Sequence, residues 1–133
     1  MQFPDRSLEI KRNCEAARQY RAHGDHAAAR PFYAAWVESV RQQNINTGGQ
    51  RERELKEATQ EYSDFVKTDP LYHQIRDAAL ARIGEQPGIL QTELYKVLAN
   101  FDRGDIQYVM FFADDHGAVS RTKKGSTYSL SLP

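Results

Sequence analysis

Cysteine occurs once in these 133 residues, at position 14, so no intramolecular disulfide can staple the chain. The fold must rest on buried apolar surface, and a chain of this length can bury enough of it. One cysteine also fits a reducing compartment, and Cys14 reads as a small core residue on a helix face. Long apolar runs are missing as well. Nothing approaches the 18 residues a membrane-spanning helix needs, and the opening MQFPDRSLEIKR has no apolar stretch of the kind a secretory leader carries. The expectation is a cytoplasmic protein that makes no use of a membrane.

A charge excess of either sign is absent too. The chain has 18 Lys and Arg against 18 Asp and Glu. The balance holds locally, with 11 basic and 11 acidic residues over 1–69 and 7 of each over 70–133. Neither half therefore has the cationic surplus that makes nucleic-acid binding an easy inference. No phosphate loop, nucleophile elbow or HExxH pattern occurs, so no enzymatic activity and no cofactor are expected. HGDH at 23–26 and DDHG at 114–117 gather histidines and carboxylates. A helix end followed by an Asp cap explains the first. A histidine complementing a helix C-terminus, then a capping glycine, explains the second, so neither is expected to bind a metal or do acid–base chemistry. His73 has no suggested partner.

What the chain does have is helical periodicity. Ile10, Cys14, Ala17 and Tyr20 recur at helical spacing from Ser7 to about His23, and Gly24 can end that helix. Asp25 can cap the next, whose stripe is Ala29, Tyr33, Trp36, Val37 and Val40, with Pro31 early enough to cause only a slight bend. The polar stretch QQNINTGGQ, 42–50, reads as a connection. A third helix follows with Leu55, Ala58, Tyr62 and Phe65 on its apolar side and a Glu52/Lys56 pair on the wet one. Asp69 and Pro70 supply the cap and first position of a fourth helix, running to about Ile83.

Beyond Pro70 come a short apolar link at Ile89 and Leu90, a short helix QTELYKVL, a longer helix DIQYVMFFADDHG, and an alternating segment that forms one hairpin. Leu94, Val97 and Leu98 face Ile106, Val109, Met110 and Ala113 across the two helices. Asp102 is placed to cap the second of them. Lys123, Lys124 and Gly125 suit the hairpin loop, and Tyr128, Leu130 and Leu132 its core side. The fold class expected is mainly α: an N-terminal helical bundle over 1–69 and a unit with one β-hairpin over 70–133, packed together.

Two resemblances sharpen this reading. Ala17, Tyr20, Gly24, Asp25, Ala29 and Tyr33, in the spacing AxxYxxxGDxxxAxxxY, resemble a single tetratricopeptide-like helical hairpin. Trp36 stands where that family has a small residue, and no second copy recurs near a period of about 34, so a hairpin packed on the third helix is expected and not a solenoid. From Pro70 onward the order of elements resembles a winged helix-turn-helix domain. That resemblance implies double-stranded DNA as ligand, with Arg103, Gln107 and Tyr108 facing the groove and Arg121, Lys123 and Lys124 on phosphates. Each also has a plain alternative: exposed first-turn or surface polar residues, a core-edge aromatic, a solubilising loop.

The same helix offers a competing reading. It carries Asp105, Asp114 and Asp115 against Arg103 alone, and few cations mean weak, salt-sensitive DNA binding by a monomer. Met110, Phe111 and Phe112 cannot all lie on one buried stripe. Either the N-terminal bundle covers the outer ring, the favoured expectation since apolar side chains usually end inside, or Phe111 or Phe112 anchors a protein partner or a homodimer and the module is an adaptor. A continuous basic face would favour DNA; an exposed Phe111 or Phe112 would favour protein.

Overall fold

The computed structural model describes residues 4–133, in which six helices and three short strands make a mainly α protein with a small antiparallel sheet. The chain divides after Thr68 into two compact units.

The first unit contains α1 (Ser7–Ala22), α2 (His26–Asn46) and α3 (Glu52–Thr68). The α1–α2 turn forms because Gly24 and Asp25 return their N–H groups to the carbonyls of Arg21 and Tyr20, at 3.0 and 2.9 Å, satisfying the last turn of α1. Asp25 then caps α2 by accepting from the Ala28 N–H. Ala17 and Ala29 are fully buried, which lets the two helices approach closely. The core they enclose is aromatic: the Tyr33 ring lies 4.6 Å from Phe65 and 5.8 Å from Tyr62 of α3. Tyr20, expected on the inner face, is partly exposed and stacks on Phe32 instead.

Two expectations fail here, for one reason. Residues 42–46 continue α2 and are not loop, and Gln43 and Asn44 within them are buried. These amides are buried because they serve backbone groups: Gln43 Oε1 accepts from the Arg6 N–H and Asn44 Oδ1 from the Arg51 N–H. Asn44 Nδ2 also donates to Glu52 at 2.9 Å, so Glu52 pairs with that amide and not with Lys56. The helix runs six residues, nearly two turns, past Val40, where its apolar pattern ends.

The second unit is built from α4 (Pro70–Glu85), β1 (Ile89–Leu90), α5 (Gln91–Val97), α6 (Arg103–Asp115), β2 (Ser120–Lys124) and β3 (Thr127–Ser131). Asp69 caps α4 with Pro70 at its first position, and Asp102 caps α6 by accepting from the Gly104 N–H. Ile75, Ala79, Ile83, Leu94, Ile106, Val109, Met110, Ala113 and Leu130 are fully buried and form the core. The apolar link at Ile89 and Leu90 is a strand, not merely a connection. It pairs with β3, giving the order β1-β3-β2 with Ile89 opposite Leu130, and leaves β2 at the edge.

Three finer expectations also need correction. Val97 and Leu132 are exposed and Tyr128 is only half-buried, so Leu94, Leu98 and Leu130 supply the packing. Lys123 and Lys124 are not loop residues but end β2, opposite Tyr128 and Thr127. The loop is Gly125–Ser126, with Gly125 at φ 63°, as a two-residue hairpin turn demands of its first position. Gly117, at φ 78°, ends α6 and sends the chain straight into β2. No helix among the described residues is long and apolar enough to cross a membrane.

Candidate binding surface on α6 and the hairpin

The residues of interest occupy two neighbouring structures. α6 buries Ile106, Val109, Met110 and Ala113, which leaves Arg103, Gln107 and Phe111 on its opposite side, at i, i+4 and i+8. All three are exposed, Phe111 at 54%, whereas Phe112 beside it is 5% exposed. The apolar run is thus split: Met110 and Phe112 are core, and Phe111 faces solvent. A T-shaped contact of 5.1 Å between the two phenylalanine rings fixes the outer one against the inner.

Arg103 is held from below. Its guanidinium lies 4.8 Å from the centre of the Tyr95 ring, and the Tyr95 hydroxyl accepts from Gln91 Nε2 at 2.8 Å. Gln91 is buried, so a fixed amide positions the ring on which the arginine rests. Neither Tyr95 nor Gln91 stood out in the sequence, because one helical turn separating two polar residues is not a distinctive signal.

Tyr108 lies off the exposed stripe. Its hydroxyl donates to Asp69 Oδ2 at 2.9 Å, and Asp69 is the fully buried cap of α4. The hydroxyl is directed into the fold and not toward the exposed stripe of α6. This carboxylate serves two helices at once, accepting from the Leu71 N–H through its other oxygen at 3.1 Å.

The three hairpin cations separate into two kinds. Lys123 and Lys124 are exposed. Arg121 has only 11% of its side chain exposed; its Nε donates to Asp114 Oδ2 at 3.3 Å. The Arg121 guanidinium also lies 4.2 Å from the Tyr128 ring and 5.7 Å from that of Phe111. The Lys123 ammonium covers the same Tyr128 ring at 5.1 Å. Cations and rings therefore alternate from α6 into the hairpin, as Phe111, Arg121, Tyr128, Lys123. On the other side of the hairpin, alternation sets Ser120, Thr122 and Lys124 opposite Ser131, Ser129 and Thr127, a hydroxyl-rich surface.

The histidine motifs take local structural roles. The His23 ring lies 2.9 Å from the Gln19 carbonyl, His26 stacks on Phe65 at 5.8 Å, and His116 Nδ1 meets the Tyr72 hydroxyl at 3.2 Å. Burial pushes the Cys14 thiol above its usual pKa, which disfavours the reactive thiolate. Comparison with protein-family models, curated proteins and solved structures found no match for this chain.

Proposed function

We propose that residues 69–133 form a winged-helix module that binds double-stranded DNA, with α6 toward the major groove and the β2–β3 hairpin as the wing. The observation that carries this reading is the exposed stripe of α6, in which Arg103 and Gln107 sit one turn apart and the wing lysines stand exposed on the adjoining hairpin. Arg and Gln are the side chains whose paired donors and acceptors suit guanine and adenine edges, and lysines suit phosphate. The first unit supports a tetratricopeptide-like hairpin through the close approach at Ala17 and Ala29, and its role in this proposal is structural.

Gel retardation of random and fixed-sequence duplexes tests the proposal. Lys123→Ala and Lys124→Ala together are expected to weaken binding to all duplexes alike and to lower the salt slope by about 0.9 for each phosphate that is no longer neutralised. Gln107→Ala is expected to change sequence preference instead. An intact protein that retards no duplex at low salt would end the DNA reading.

A second reading is favoured by one specific pair of facts, the exposure of Phe111 and the withdrawal of Arg121 into its pair with Asp114. Both suit an adaptor that docks a protein or a second copy of itself on α6. Light scattering separates this from the first reading, since an adaptor of this kind would associate, or capture a partner, in the absence of nucleic acid.

A further inference from the structure

We infer that the DNA this module prefers carries unpaired bases, at an overhang or frayed end, and that Phe111 with the Arg121–Tyr128–Lys123 stack receives one such base. The inference rests on the nucleic-acid reading above and names the class of DNA within it.

Phe111 is more than half exposed although the residue on each side of it is buried, so its contact with the Phe112 ring leaves much of its own ring open to solvent. An exposed ring alone would suit any apolar partner. This ring adjoins a guanidinium at 5.7 Å, which lies 4.2 Å from Tyr128, which lies 5.1 Å from the Lys123 ammonium. A surface that alternates rings with cations is complementary to a ligand that is both flat and anionic, and a nucleotide is such a ligand. In a continuous duplex both faces of every base are already stacked, leaving none for Phe111. An unpaired base has a free face.

The charges around the ring point the same way. Asp114 offsets Arg121, and Asp115 is exposed at the end of α6, so phosphate is repelled from that end and drawn toward Lys123, which shares the Arg121–Tyr128 side of the hairpin. With few cations available, electrostatic attraction to a plain duplex is small. Stacking is insensitive to base identity and adds affinity that does not depend on charge. A base on Phe111 and its phosphate at Lys123 would use both parts of the surface.

The test is fluorescence anisotropy with three labelled probes of one sequence: a blunt duplex, the same duplex with a short 3′ or 5′ overhang, and the single strand. The wild-type protein is expected to bind the overhang duplex about tenfold tighter than the blunt one, equivalent to ~1.4 kcal/mol. Phe111→Ala is expected to abolish the difference between the overhang and blunt probes, and Phe111→Trp to keep it. Equal binding of blunt and overhang probes by the wild type would overturn the inference and leave the DNA proposal standing. Failure to bind any probe at low salt would overturn both. Self-association abolished in Phe111→Ala, with probe preference unchanged, would assign the ring to a protein interface instead.

Discussion

Replacing Asp69 by alanine should cost the second unit about 3 kcal/mol, because one buried carboxylate does two separate jobs. As the cap of α4 it accepts from the Leu71 N–H at 3.1 Å, a role whose loss typically costs ~1 kcal/mol. Through its second oxygen it accepts from the Tyr108 hydroxyl at 2.9 Å, and hydrogen bonds to a charged group contribute about 1.5–3 kcal/mol. Tyr108→Phe removes only the second of these and should cost about 2 kcal/mol. The double variant should cost less than the sum of the two singles by about 1–2 kcal/mol, because each single change already removes the shared bond. Asp69→Asn, which keeps a capping oxygen, should be the mildest of the series. Urea unfolding followed by far-ultraviolet circular dichroism measures all four, with Trp36 fluorescence as a separate signal from the first unit. Strict additivity of the two changes would refute the argument. So would a Tyr108→Phe variant with unaltered stability and impaired DNA binding, since the hydroxyl would then belong to the binding surface.

Phe112→Ala should lower stability by about 3–5 kcal/mol, as expected of a buried aromatic, whereas Phe111→Ala should cost about 1 kcal/mol or less; equal melting shifts would contradict the split between them. Arg121→Ala should also be chiefly a stability variant, costing about 1–2 kcal/mol because Asp114 is open enough to be rehydrated, with a smaller change in DNA salt slope than the lysine changes produce. Alkaline pH should destabilise the protein through Tyr33 and Tyr72, whose hydroxyls burial pushes above the ordinary value of 10.0. Folded values above unfolded ones mean that the stabilisation is fully present below about pH 10 and is lost as pH rises through the folded values. Denaturation midpoints between pH 9 and 11 should therefore fall more steeply for the wild type than for Tyr33→Phe or Tyr72→Phe.

Helix starts were the most legible feature of the sequence, because a cap is a local chemical event. Asp25, Asp69 and Asp102 each accept the expected backbone N–H, from Ala28, Leu71 and Gly104. The end of α2 was illegible for the opposite reason. Gln43 and Asn44 are buried by what they do for Arg6 and Arg51, residues distant in sequence or beyond the turn, and a polarity pattern carries no trace of that. β1 could not be told from a connection because two residues cannot display alternation; only the partner Leu130 reveals it.

The candidate surface shows the same division. Helical spacing alone puts Arg103, Gln107 and Phe111 on one side of α6, so that stripe is legible in the sequence. The unequal standing of Arg121, Lys123 and Lys124 is not, since all three are cations on one short strand. Asp114 decides it, by meeting Arg121 across the turn at Gly117. Tyr108 is decided by Asp69, 39 residues away. In both cases the deciding partner is an acidic residue that the sequence alone presents as a helix cap or as a repulsive charge.

A neutral chain can still hold a useful cationic surface if its few cations are held in place before the ligand arrives. Arg and Lys side chains carry about 2 kcal/mol of rotamer entropy, much of which disappears when a free one is immobilised on a phosphate or base. Arg103 rests on Tyr95, which is itself bonded to the buried amide of Gln91, and Lys123 rests on Tyr128, whose other neighbour is the paired Arg121. Under the DNA proposal, part of the ordering is therefore already done in the free protein, so each bond to the ligand would cost less entropy when it forms. Arg121 fits this account better as a support than as a ligand-binding group. Its pair with Asp114 ties the hairpin to the end of α6, and its guanidinium spaces the Phe111 and Tyr128 rings. Under the DNA proposal, the acidic residue that lowers the net charge of the surface is the one that holds its two halves in register.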